Sequence, residues 1–261
     1  MSRVIALVAT IPPRRRSCMR LLDELTTRQT RKPDGVVMVW DGFAADVPVV
    51  APPDRLPLIG YAHNEKPCGA GARWLLVEAF LTSELSGPEE LRPIKADDTI
   101  VCLDDDIMTL EAPRLVESLV AAVEGVHQHG LEGCAAAAMG RSANGKPAPP
   151  GDASRGQLLH GAGCGLTVKA RHLKGLRAFA DEVKAAGGPD ALGVLGDDDA
   201  LVSAFLWRKG IPIIHTATGN IYPAPNTQAS STTHALMQRK IDFNTQKRAI
   251  RKVTGWPWVV Q

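Results

Sequence analysis

The sequence predicts an α/β protein built on a single, mostly parallel central sheet flanked by helices. Three observations carry that expectation. The runs Val4 to Ala9, Val36 to Trp40 and Ile100 to Leu103 are short, continuous and apolar, as strands buried on both faces are. Between them apolar residues recur at helical spacing, so strands and helices alternate as in βαβ units. The three runs end at TIPPRRR, Asp41-Gly42 and Asp104-Asp105-Asp106, and open α/β sheets bind ligands beyond the carboxyl ends of their strands.

Bulk properties narrow the class. The 261 residues are 44% hydrophobic, which fits a folded chain rather than a disordered one. A formal net charge of +2 is too near neutral to argue by itself for nucleic acid. Cys18, Cys68, Cys102, Cys134 and Cys164 are odd in number and form no CxxC, which speaks against a disulfide framework or a structural zinc. No apolar run approaches membrane-spanning length. The opening MSRVIALVAT reads as a strand followed by PPRRR, not as a signal peptide. The expectation is a soluble, cytoplasmic protein with no membrane insertion and no internal repeat.

Taken in order, the first strand stops at Thr10-Ile11-Pro12-Pro13. Arg14, Arg15 and Arg16 then precede a helix with Cys18, Leu21, Leu22 and Leu25 inward, and Ser17 is a candidate cap. Bases at a helix start beside a strand end suit an anionic ligand; a solvated basic turn is the competing reading. Asp41 closes the second strand, either as an acceptor for a base or ribose or as an ordinary turn residue before Gly42. A weaker third strand, Leu56 to Tyr61, contains Pro57. In KPCGAGARWLLVEAF, Gly69 and Gly71 permit a close turn, and Ala72 to Phe80 reads as helix. Arg73 in its first turn can reach a phosphate or stand exposed; the stretch is neither GxGxxG nor a P-loop. Ser86 to Lys95 is a polar surface connection.

TIVCLDDDIM, Thr99 to Met108, is the stretch around which the chain is organised. Three adjacent acids at the end of a buried strand are costly unless a cation neutralises them. Alternation along an extended chain puts Asp104 and Asp106 on one face, which suits a hard divalent ion that also takes phosphate oxygens. Pro113 opens a helix with Leu115, Val116, Leu119, Val120 and Val123 inward. Cys134 to Met139 is another apolar run. Arg141 to Gly156 is a loop suited to act as a lid, or plain disorder. Leu158 to Val168 reads as a strand interrupted by glycine, and a helix follows from about Arg171 to Ala186. Asp197, Asp198 and Asp199 begin a helix with Leu201, Val202, Phe205 and Leu206 inward; three acids exceed what the helix dipole asks for. Ile211 to Ile214 is a last strand, ended by His215. From His234 on the tail is a basic helix, with Trp256 and Trp258 docking it.

The ordered set resembles the GT-A fold glycosyltransferases, especially the inverting family 2 group. VIALVATIPPRR is similar to the first strand and its loop, VVMVWDG to the second strand and its base-contacting Asp, and CGAGARWLLVEA to the segment near the diphosphate. TIVCLDDDIM matches the DxD strand, and GDDDALVSAFLWRKG resembles the acidic pair that supplies the catalytic base. The resemblance covers roughly residues 4 to 215. It implies a 1–261 domain with a nucleotide-sugar-binding half (1–106), an acceptor-side half (107–220) and a C-terminal tail (221–261). It implies donor contacts from Thr10, Pro12, Arg14, Asp41, Gly69, Arg73, Asp104 and Asp105. Mn²⁺ or Mg²⁺ would sit on Asp104 and Asp106, with His215 or His234 as a further ligand. The base would be Asp198, with Asp197 and Asp199 as rivals, because this chain has Asp-Asp-Asp where the family usually has Glu-Asp. The implied activity is hexosyl transfer from a nucleoside diphosphate sugar, UDP-glucose or another UDP-sugar foremost, to a hydroxyl of a saccharide or small molecule. Two rivals stand beside it: the same chemistry on a hydroxymethylated base in phage-type DNA, and a non-catalytic nucleotide- or metal-binding module. A nucleotidyltransferase would want a Gly-rich, Lys-containing loop where TIPPRRR stands.

Overall fold

The computed structural model describes residues 2–47, 51–66, 68–82, 93–125, 133–142, 147–148, 156–188, 198–216, 218–223 and 243–256. In chain order the strands are β1 (Val4–Thr10), β2 (Gly35–Asp41), β3 (Leu58–Asn64), β4 (Thr99–Asp104), β5 (Ile107–Met108), β6 (Ala135–Ala137), β7 (Gly140–Arg141), β8 (Pro147–Ala148), β9 (Leu158–Leu159), β10 (Gly161–Ala162), β11 (Thr167–Lys169), β12 (Ile213–His215) and β13 (Tyr222–Pro223). The helices are α1 (Arg15–Thr27), α2 (Ala72–Thr82), α3 (Leu115–Gly125), α4 (Leu176–Ala185), α5 (Asp198–Arg208) and α6 (Phe243–Thr254).

Eight strands form the main sheet in the order β3-β2-β1-β4-β11-β6-β12-β9. β3, β2, β1 and β4 are mutually parallel, as expected from the βαβ pattern. β11 runs against both β4 and β6, and β9 against β12, so the sheet is mixed on that side. Small sheets β10-β7-β8 and β13-β5 flank it.

Strand alternation divides the core in two. Ile5, Leu7, Val37, Ile100 and Cys102 face α2, α4, α5 and α6. Val4, Ala6, Val8, Val36, Met38, Trp40, Val101 and Leu103 face α1 and α3. This assignment sets where the acids at the strand ends point.

Several boundaries differ from the sequence expectation. β3 starts at Leu58, after Pro57, and runs on to Asn64. Leu158 to Val168 is not one strand but three pieces: β9 and β10 are separated at His160, and β10 and β11 by residues 163–166, where Gly165 has φ +77°. The helix expected from Arg171 begins instead as a 3-10 turn over Ala170–Leu173, and α4 proper follows Gly175, whose φ of +94° ends the first piece. Ser17 lies inside α1 and donates to Arg14 O at 2.8 Å rather than capping. Most of Ser86–Lys95 and of Arg141–Gly156 lies outside the described residues. α6 packs through Ala249 and Ile250, and just beyond it the fully buried Trp256 donates its indole N–H to His160 O; Trp258 lies outside the described residues. Among the described residues, no helix is long and apolar enough to cross a membrane.

Candidate active site

β2, β1 and β4 end side by side. Ala9 of β1 is in register with Asp104 of β4, and Thr10 with Trp40 of β2. Asp104 follows Ile100 and Cys102 on the α2 face. Asp105 continues Val101 and Leu103 toward α1. Asp41 follows Val37 and Val39 toward α2. Each acid therefore meets the helix that its strand position dictates.

On the α2 face, Asp104 meets Arg73, which is 2% exposed in the first turn of α2. Its Nη2 donates to Asp104 Oδ1 at 3.1 Å and to Asp198 Oδ2 at 2.9 Å; Nε reaches the same Asp198 oxygen at 3.1 Å, and Nη1 reaches Leu103 O at 3.1 Å. The Trp74 indole N–H adds a third donor to Asp198 Oδ2 at 3.0 Å. One guanidinium thus joins the acidic turn after β4 to the acid that opens α5. Burial works against a charged Arg73, but Asp198, with Asp104 and Asp199, outweighs it and holds the pKa well above its ordinary value. Asp199, next on the helix and half-buried, adds to the same field.

The α1 face mirrors this arrangement. Arg14, in the 3-10 turn Pro12–Arg14 that follows β1, donates from Nη1 to Asp105 Oδ1 at 3.0 Å, and its Nη2 lies 3.2 Å from Asp106 Oδ2. Asp105 is 3% exposed, and burial pushes its carboxyl up to about 6 against the pull of Arg14. Helix α1 braces the segment that follows. Arg20 Nη2 donates to Ile107 O, and the buried Glu24 accepts from both the backbone N–H and the hydroxyl of Thr109.

Asp41 is buried and turned to the loop before α2. Its Oδ1 accepts from Cys68 N at 2.5 Å, and its Oδ2 from Gly69 N at 2.8 Å. Gly69 has φ +94°, a conformation that an L side chain adopts only with strain. Asp41 thus shapes the Cys68–Gly69 turn that presents Arg73.

Asp104 and Asp106 fit a hard divalent cation by donor chemistry. Their side chains are 38% and 21% exposed at the strand end. Burial pushes Asp106 up, Arg14 pulls it down, and the charge of Asp104 adds a repulsion that a cation would relieve. The expectation of a shared strand face does not describe them, because β4 ends at Asp104 and the chain turns at Asp105–Asp106. His215 is buried at the end of β12, three strands from β4, about 14 Å at normal strand spacing; the structure does not bring it to Asp104. Among the described residues, no three His, Cys, Asp or Glu side chains are grouped to hold a metal. Asp197 and His234 lie outside the described residues. Thr10 is buried beside Asp105, and Pro12 opens the exposed turn carrying Arg14.

Sequence reasoning missed Trp74, Glu24 and Arg20. Trp74 carried a signal, because a polar-tipped aromatic next to Arg73 at a helix start needs a buried acceptor. Glu24 carried one too, as an acid beside Leu25 on the inward face of an amphipathic helix.

No family model and no curated protein matches the chain. Among solved structures, it is similar to a protein from Desulfovibrio desulfuricans G20 provisionally described as a nucleotide-diphospho-sugar transferase. The match covers 97% of this chain and 98% of that one, at 13% identity and a TM-score of 0.42. A likeness that loose carries no argument about chemistry.

Proposed function

We propose that the chain is a glycosyltransferase of the GT-A type, moving a sugar from a nucleoside diphosphate sugar, foremost a UDP-sugar, to an acceptor hydroxyl with inversion. The observation that carries this is the buried Arg73, which ties the acidic turn after β4 to the acid opening α5. A module that only bound a nucleotide or metal would have use for one acidic cluster, not for two fixed together.

Asp104 and Asp106 would hold Mn²⁺ or Mg²⁺, which when bound supplies charge neutralisation to the diphosphate leaving group. Arg14 and Arg73 lie on either side of that turn; Arg14 would orient phosphate oxygens, while the buried Arg73 would hold Asp104 and Asp198 in place around them. The Asp41-shaped turn at Cys68–Gly69 fixes the approach to Arg73. For the proton acceptor we choose Asp199 over Asp198. Asp198 is 6% exposed, and one of its oxygens already accepts three hydrogen bonds from Arg73 and Trp74. Asp199 is half-buried on the same helical turn. The acceptor oxygen attacks the anomeric carbon, its proton passes to the Asp199 carboxylate, and the bond to the diphosphate breaks. Attack opposite the leaving group inverts the centre.

A thermal-shift panel of UDP-, GDP-, dTDP- and CDP-sugars, each with and without Mn²⁺, tests the reading. One donor should stabilise the protein only with metal, and that shift should vanish in Asp104→Asn. Turnover of that donor, followed by NMR of the product, should show inversion. No shift with any donor and no turnover would favour a binding module.

A further inference from the structure

Two arginines already occupy the acids that this reading gives to a metal ion. Arg73 holds Asp104 Oδ1, and Arg14 lies against Asp106 Oδ2. The two are anchored differently. Arg73 is buried, also bound to Leu103 O and Asp198, and cannot leave without breaking its two hydrogen bonds to Asp198. The Arg14 side chain is 13% exposed and its hold on Asp106 is one contact of 3.2 Å. Its Nε–H finds no acceptor among the described residues. Its Nη1, by contrast, rests on the buried Asp105 at 3.0 Å. That contact is a pivot: Nη1 can stay on Asp105 while Nη2 leaves Asp106.

On the basis of the proposed function, we propose that Arg14 gates metal binding. With the donor site empty its Nη2 edge stays on Asp106; an arriving diphosphate draws that edge away, so a divalent cation binds tightly only together with a nucleoside diphosphate. Guanidinium and metal compete for the same carboxylate, and phosphate oxygens offer the planar fork an alternative. Linkage makes the effect reciprocal, so metal must tighten nucleotide by the same factor.

The test is Mn²⁺ binding to the full chain, read by EPR of free Mn²⁺, alone and with UDP or GDP, corrected for Mn²⁺–nucleotide complexes in protein-free buffer. The wild-type protein should bind Mn²⁺ about tenfold or more tightly with one nucleotide than without. Arg14→Gln should bind Mn²⁺ alone about tenfold more tightly than wild type and lose most of that enhancement. Arg31→Gln, which removes the same charge from the turn before β2, should match wild type. Wild-type protein that binds Mn²⁺ equally well with and without nucleotide overturns the gate with no variant needed, as does a folded Arg14→Gln with wild-type Mn²⁺ affinity. If Arg14→Gln does not fold, Arg14→Lys, which keeps charge but loses the fork, should show intermediate coupling, and full wild-type coupling there counts against the gate. Mn²⁺ binding with unaltered coupling sinks the gate alone; no Mn²⁺ binding by any form under any condition sinks the metal reading beneath it.

Discussion

Asp198→Asn removes one negative charge from the most buried part of the site. The Arg73 guanidinium beneath it is 2% exposed and would keep Asp104 Oδ1 and Leu103 O as its remaining partners. Asp104 is 38% exposed, so solvent screens its help. Removing one partner of a buried ion pair costs about 3–5 kcal/mol. Asn keeps an amide oxygen for the Trp74 N–H or one Arg73 N–H, so the lower end, about 3 kcal/mol, is the expected loss. In a chain of this length that lowers Tm by roughly 6–12 °C. Asp199→Asn removes the same charge one residue later, at a half-buried position, and should cost about 1 kcal/mol or less while abolishing sugar transfer. Urea unfolding at pH 7 with EDTA, beside a transfer assay, separates the two. A double-mutant cycle with Arg73→Met and Asp198→Leu should show a coupling of about 1–3 kcal/mol. An Asp198→Asn protein as stable as wild type, or an Asp199→Asn protein that still transfers sugar, would refute the division of labour between these neighbours.

Further outcomes follow from the same geometry. Asp105 has its carboxyl raised to about 6 by burial. The folded state therefore binds more protons than the unfolded state between about pH 4 and 6. Stability of the metal-free protein should fall as pH rises through that window, by up to about 3 kcal/mol, and Asp105→Asn should flatten the slope in urea titrations at pH 4 to 7. None of the five cysteines is in a disulfide, and burial raises the Cys18, Cys102, Cys134 and Cys164 thiols. Cys68 is half-buried, so a thiol reagent should titrate one fast thiol in the native protein, slowed by bound nucleotide, and the rest only after unfolding. Asp41→Ala leaves the Cys68 and Gly69 N–H groups without their carboxylate acceptor. It should cost about 1.5–3 kcal/mol and weaken nucleotide binding in calorimetry.

Three strands of the parallel half, β1, β2 and β4, were legible because they are buried on both faces, whereas the edge strand β3 is half-buried and left a weaker pattern. Val4 to Ala9 and Val36 to Trp40 are unbroken apolar runs of the length a buried central strand uses. The mixed half was not. β6, β9, β11 and β12 are two or three residues long, and a strand that short leaves no periodicity to read. The antiparallel placement of β11 between β4 and β6 depends on long-range pairing, which no local pattern encodes. His215 shows the consequence: it ends a strand as expected, yet the strand order puts it too far from Asp104 to share a ligand.

The site was legible as residue types and hidden as partnerships. Asp104, Asp105 and Asp106 were read as one cluster awaiting one cation. Alternation, which assigned Ile100 and Cys102 to one core and Val101 and Leu103 to the other, splits them as well. Asp104 goes to Arg73 and Asp105 to Arg14, and the turn after Asp104 returns Asp106 to Arg14 as well. The cost of three adjacent carboxylates is thus met first by two arginines from helices on opposite faces of the sheet. What remains for an external cation is the Asp104–Asp106 repulsion at the open end. That division explains how so acidic a turn can fold before any ligand arrives. It also leaves Asp104 and Asp106 as the carboxylates of that turn that solvent still reaches.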